Sequence, residues 1–99
     1  MNILICSDGR AASDNATRLA GLLAPALHAK TTLLGIIEAS ADEQALRRAL
    51  EKQAESLRAS KIAVETVVHP GEPIHEIVHQ TSTAKYDLVI IGSRRARST

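Results

Sequence analysis

Aromatic side chains are nearly absent from these 99 residues: there is no tryptophan or phenylalanine, and Tyr86 stands alone. That scarcity argues against a base-stacking nucleic-acid surface and leaves the core to Leu, Ile, Val and Ala. Such a composition suits buried parallel strands packed by helices better than a β-sandwich. Cysteine is equally scarce. Cys6 excludes an internal disulfide and fits a reducing, cytosolic setting; within an apolar strand it reads as a packed, inert thiol. Excess charge is missing too: 12 basic against 11 acidic residues leave a net charge of +1, with no general pull toward nucleic acid or anionic membrane. No apolar run is long enough to span a bilayer, and Met1 leads directly into a strand pattern without a signal peptide, so a cytoplasmic location is expected.

What is present is an alternation of strand and helix patterns without internal repeat. Asn2 to Ser7 is a short apolar run stopped by Asp8-Gly9, a buried strand followed by a turn. Ser13 to Leu27 carries Ala16, Leu19, Ala20, Leu23 and Leu27 at helical spacing, with Ser13 as N-cap, Pro25 as a kink or early stop, and His28 as a left-handed closing residue. Thr31 to Ile37 is the second strand. Ser40-Ala41-Asp42-Glu43 reads as a capping box before a helix with Leu46, Ala49, Leu50, Ala54 and Leu57 on one face. Ile62 to Val68 is the third strand, Pro73 opens a third helix, and Leu88 to Ile91 is the fourth strand. The order βαβαβαβ with right-handed crossovers predicts one α/β domain, an open parallel sheet in the order 3-2-1-4 with helices on both faces.

The third helix contains His75-Glu76-Ile77-Val78-His79, a formal match to the metalloprotease pattern of two histidines on one helical face with a glutamate base. A catalytic zinc needs a third protein ligand. Downstream the chain offers no His or Glu, and Asp87 is the only carboxylate side chain. With Ile74, Ile77, Val78 and Thr81 as the inward stripe, both histidines turn to the rim. The motif is read as two surface histidines that can bind adventitious Zn²⁺ or Ni²⁺, without peptidase chemistry.

In open α/β sheets, ligands bind beyond the carboxyl ends of the strands, where the strand order reverses. Asp8-Gly9 ends strand one, Ile36-Ile37-Glu38 ends strand two, and Gly92-Ser93 ends strand four. A carboxylate there can accept from ribose hydroxyls or hold Mg²⁺, and glycine lets the backbone approach a phosphate. Equally, Asp8-Gly9 can be an ordinary turn, with Asp8 as a helix-entry acceptor.

Three segments resemble the universal stress protein family: Ile3-Leu4-Ile5-Cys6-Ser7-Asp8-Gly9 followed by Ser13, Gly71-Glu72-Pro73, and Tyr86-Asp87-Leu88-Val89-Ile90-Ile91-Gly92-Ser93-Arg94. The resemblance runs in register through the chain. It implies a flavodoxin-like or Rossmann-like fold of the adenine nucleotide alpha hydrolase type, a cytoplasmic homodimer, and a role in survival under stress. It also implies that the domain over 1–99 lacks its last helix and fifth strand.

Some members of that family bind ATP through a glycine, two residues, a second glycine and, further on, a Gly-Ser or Gly-Thr. By position, Gly92 corresponds to the first glycine, Asp8 to the strand-one acid that contacts nucleotide, and Ile37 falls near the residue packing on adenine. The resemblance thus implies a nucleotide-contacting set of Asp8, Gly9, Ile37, Gly92, Ser93 and Arg94. It fails at Arg95, which occupies the second glycine's place, and the closing Gly-Ser or Gly-Thr would fall after Thr99. Arg94, Arg95 and Arg97 can act as substitute phosphate donors or form a solvated terminus. The expectation is weak or no ATP binding, with Mg²⁺ only alongside the nucleotide.

Three functions compete. The first is a non-catalytic stress-response module with weak adenine nucleotide binding. The second is a ligand-free interaction domain that pairs with itself or a protein partner through the exposed edge of strand four. The third is an enzyme, hydrolysing nucleotide at Asp8 or using zinc at His75 and His79. A phosphoacceptor receiver is set aside, because His69-Pro70-Gly71 follows strand three where an acid is required.

Overall fold

A strand with apolar side chains on both faces is stable only between two covered layers, and Asn2–Ser7 (β1) takes that place. In the computed structural model, which describes residues 1–7 and 11–91, Ile3, Leu4 and Ile5 of β1 are fully enclosed. The chain continues through α1 (Ala11–Leu27), β2 (Lys30–Ile37), a 3₁₀ turn (Ser40–Asp42), α2 (Glu43–Ala59), β3 (Val64–Pro70), α3 (Pro73–Thr83) and β4 (Leu88–Ile91). The sheet is parallel in the order β3-β2-β1-β4, as predicted. β1 pairs with β2 from Asn2↔Lys30 to Ser7↔Gly35, and with β4 from Ile3↔Leu88 to Cys6↔Ile91.

Right-handed crossovers decide the layers. The connections β1–α1–β2 and β2–α2–β3 advance one way along the sheet, while β3–α3–β4 crosses back over β1. Hence α1 and α2 cover one face and α3 the other. Under α1 and α2 lies the larger core, with Ile3, Ile5 and Leu33 from the sheet, Ala16, Ala20 and Ala24 from α1, and Leu50 and Leu57 from α2. Under α3 a smaller one gathers Leu4, Cys6 and Leu34, flanked by Ile77 and Tyr86.

The helix ends explain where the chain turns. His28 has φ 52° and Lys61 φ 63°, both left-handed. After α1, Ala29 N donates to Ala24 O and His28 N to Pro25 O; after α2, Ile62 N donates to Leu57 O and Lys61 N to Arg58 O. These are two Schellman closures. They confirm His28 in its expected role and move Ile62 from strand three into the closing turn, so β3 starts at Val64.

Other expectations need correction. α1 begins at Ala11, which places Ser13 inside the helix, and Pro25 neither ends nor shortens it before Leu27. Proline in the last turn forfeits only the bond to the Gly21 carbonyl. Its buried line is Ala16, Ala20 and Ala24, whereas Leu19 and Leu27 are exposed. The capping box does not form: Ser40 lies within the 3₁₀ turn, and Asp42 precedes α2 without a side-chain cap. On α3, Ile74 and Val78 are exposed and Ile77 packs inward. Gln80 binds Tyr86, with Nε2 donating to the phenol oxygen at 2.8 Å.

Candidate functional site

The register of the central strands builds the carboxyl edge. Ser7 ends β1 opposite Gly35, and Cys6 stands beside Ile91, the last residue of β4. The two strands that lead into Asp8 and Gly92 therefore end side by side at the point where the strand order reverses. Asp8, Gly9, Gly92, Ser93 and Arg94 themselves lie outside the described residues, as do Arg95 and Arg97.

β4 is anchored to β1 at the opposite, amino end. Asn2 N–H donates to Asp87 Oδ2 at 2.7 Å, Asp87 N–H returns a bond to Asn2 O at 2.8 Å, and the Asn2 amide donates to Lys85 O. Asp87 is thus committed to aligning the two strands, and this alignment brings their carboxyl ends together.

Ile37 is the one expected site residue within the described set. It ends β2 at the carboxyl edge, but its side chain is only 9 % exposed and belongs to the core beneath α1 and α2. Its carbonyl accepts from Gly71 N–H at 3.1 Å, tying the β2 end to the loop before α3. Gly71 has φ +146°, and a Cβ there would run into the Glu76 carboxylate. The backbone conformation therefore calls for glycine, and a larger residue would also displace the Glu76 side chain. Glu72 caps α3, accepting from Ile74 N–H at 3.1 Å and His75 N–H at 2.9 Å. Pro73 follows at the first helical position. The Gly-Glu-Pro run is a turn, a cap and a start, and it delivers the loop of strand three to the rim of the site.

Behind the strand ends sits a polar pair the sequence did not reveal. Ser7 and Gln53 are each 6 % exposed, and the Ser7 hydroxyl donates to Gln53 Oε1 at 2.8 Å. The signal available was phase: Gln53 follows Leu50 by three positions on the buried stripe of α2, where an apolar residue is expected. α2 approaches the sheet closely here, because a Cβ on Gly35 would overlap Leu50 Cδ1.

His75 and His79 are exposed, and among the described residues no group of three or more His, Cys, Asp or Glu could hold a metal ion. Cys6 is buried, and desolvation pushes its thiol up to about 11, so it is neutral at physiological pH. Among the described residues no helix is long and apolar enough to cross a membrane.

Solved structures with this architecture are plentiful. A universal stress protein from Archaeoglobus fulgidus superposes with a TM-score of 0.83 at 17% identity, covering 95% of this chain and 77% of that one. A protein of the universal stress protein family from Burkholderia pseudomallei gives 0.83 at 16% identity, over 93% of this chain and 80% of the other. A universal stress protein in complex with cAMP gives 0.79 at 21% identity, over 90% and 69%. These likenesses establish the fold. No curated protein matches the chain. The model of the universal stress protein family matches residues 1–99, from end to end, and the chain belongs to that family.

Proposed function

We propose that this protein is a non-catalytic stress-response module whose carboxyl sheet edge takes an adenine nucleotide weakly. The observation that carries the reading is the pairing of β1 with β4 up to Cys6↔Ile91, which aligns the strands leading into Asp8 and Gly92. The structural neighbour in complex with cAMP supports the ligand class. Asp8 is assigned to the ribose or to Mg²⁺, with Mg²⁺ entering only alongside a nucleotide. Gly9, Gly92 and Ser93 offer backbone donors, and Arg94 offers a charged one. Ile37 contributes the floor at the end of β2, since little of its side chain is open. Arg95 in place of the second motif glycine argues for weak binding, because a side chain there limits close approach of backbone to phosphate. A cytoplasmic setting agrees with the single, buried thiol.

Calorimetric titration with ATP, AMP and cAMP, with and without Mg²⁺, tests the reading. A dissociation constant between about 10 µM and about 1 mM, corresponding to about 4 to 7 kcal/mol, is expected. Asp8→Ala should weaken it at least fivefold. Absence of heat at millimolar nucleotide would retire the reading.

A second reading rests on a separate observation. Among the described residues β4 is a sheet edge, and its Val89 and Ile91 are exposed on the face that α3 shares, together with Ile74 and Val78 of α3. Unpaired strand edges flanked by apolar residues favour pairing with another chain. Under this reading the protein assembles through β4, as a homodimer or with a protein partner, and needs no ligand.

A further inference from the structure

α3 exposes a strip whose histidines neither reading of function employs. Ile74, His75, Val78 and His79 are all exposed, whereas Ile77 packs inward and Gln80 bonds to Tyr86. At 3.6 residues per turn, Ile74 and Val78 form one row along the strip, and His75 and His79 form a second row beside it. On the following turn the Thr81 and Ser82 hydroxyls donate back to the Val78 carbonyl at 3.0 and 2.8 Å. Their hydrogen bonds are thus met within the helix, and a contact made here would leave few polar groups unpaired.

Two histidines four positions apart on a helix can grip one metal ion. A structural zinc takes four ligands in a tetrahedron, and this helix supplies two. Among the described residues no third His, Cys, Asp or Glu joins them in a group that could hold a metal. Glu76, the general base of the metalloprotease pattern, is half-buried and folded toward Gly71, where a Cβ would lie 2.7 Å from its Oε2. The pair is therefore half of a ligand set, with its would-be base turned to another task.

We infer that His75 and His79 form half of a zinc site, which a second copy of this chain completes with the same pair across a twofold axis. Symmetry supplies what one chain lacks. An axis through the metal places two imidazoles from each helix around it, the four nitrogen donors that tetrahedral zinc accepts. The apolar row is the second component, because Ile74 and Val78 run alongside the histidines and are covered when the two helices close on the metal. Size decides what drives the contact. α3 has 11 residues, about 16 Å of helix, and the four exposed side chains bury far less than the roughly 1,000 Å² of a stable interface. The helices do not hold together unaided, so association through α3 depends on the metal. The contact involves neither the carboxyl edge nor β4, and nucleotide binding and β4 pairing can each fail without affecting it.

The test uses the full chain freed of metal by a chelator, as the parent and as Ile91→Lys, in which β4 pairing is blocked. Zn²⁺ alone is the probe, with calorimetry reading stoichiometry and sedimentation velocity reading mass. Co²⁺ reports the coordination geometry through its visible absorption. Uptake should saturate at one zinc per two chains, with conversion to dimer in both proteins and the intense absorption of tetrahedral Co²⁺. His75→Ala and His79→Ala change exposed positions, so each should keep the parental melting temperature and lose the zinc-linked dimer. Glu76→Gln and His69→Ala should leave stoichiometry and mass as in the parent, which separates this site from metalloprotease chemistry and from general histidine binding. Val78→Lys keeps every ligand but sets like charges against each other, and should weaken zinc-linked dimerisation about tenfold or more. One zinc per chain on a protein that stays monomeric, an adventitious ion only, would overturn the inference. So would a Co²⁺ spectrum of octahedral type, or a zinc-linked dimer that survives His75→Ala, His79→Ala or Val78→Lys.

Discussion

Thr31 shows what an uncompensated polar group contributes at the scale of one residue. It is 2 % exposed on β2, and its hydroxyl oxygen has no hydrogen-bond partner among the described residues. A buried hydroxyl without a partner costs about 1–3 kcal/mol. Valine has nearly the same shape, the same β-branching and no polar atom. Thr31→Val should therefore stabilise the fold by about 1 kcal/mol, raising the melting temperature by roughly 4–8 °C for a domain of this size. Thermal unfolding by circular dichroism reads this directly, and a lower melting temperature would show that the hydroxyl is satisfied in solution. The contrast with Ser7 is instructive. Both are hydroxyl residues on the face beneath α1 and α2, but Ser7 is met by Gln53. The Ser7 hydroxyl has a partner on α2; the Thr31 hydroxyl has none among the described residues.

Among the elements, the ends of helices are less settled than their middles. Both Schellman closures place a residue with a Cβ in the left-handed region, where glycine is favoured. Lys61 at φ 63° is exposed, so its side chain contributes little that a glycine would lose. Lys61→Gly should raise stability by about 0.5–1 kcal/mol, the left-handed strain of a side chain exceeding the added freedom of the unfolded chain. Chemical denaturation should show a higher midpoint at unchanged slope; a lower midpoint would mean that chain entropy prevails. The same level shows what was legible in advance. The order of elements, the parallel sheet and the role of His28 follow from apolar runs, helical spacing and turn residues, because these are local signals. The inward face of α1 was misread because alanine and leucine count alike in an apolar pattern. Packing distinguishes them: Ala16, Ala20 and Ala24 are buried against the sheet, and Leu19 is left 46 % exposed. The Ser40 capping box failed for a related reason. The motif is the same whether the turn ahead of the helix is α or 3₁₀, and only the backbone decides. At the site, the strand ends that lead into Asp8 and Gly92 were recognisable, whereas the partnership of Ser7 with Gln53 needs the register between α2 and β1.

At the scale of the whole molecule, the described elements cover the two faces of the sheet unequally. Two helices lie over Ile3, Ile5 and Leu33, and among the described residues only α3 covers Leu4, Cys6 and Leu34. Parallel register places Val89 beside Leu4 and Ile91 beside Cys6, so the exposed side chains of β4 continue the thinner core outward. Val89 is 38 % and Ile91 59 % exposed, and Ile74 and Val78 of α3 are more than half exposed. If a second copy meets this edge about a twofold axis, the two β4 strands pair and their apolar residues share one surface. With four residues per strand, the contact belongs to the small, transient class of interfaces. Self-association with a dissociation constant of roughly 10–100 µM is therefore expected, equivalent to about 5–7 kcal/mol. Sedimentation velocity across that range should show a concentration-dependent shift toward dimer. Ile91→Lys should keep the protein monomeric without lowering its melting temperature, because the side chain it replaces contributes mainly to exposed surface. A parent protein that stays monomeric at several hundred micromolar would remove β4 pairing as a mode of assembly. Dimer formation that persists in Ile91→Lys would instead move the interface away from this edge, onto another face such as the exposed Leu19 and Leu22 of α1.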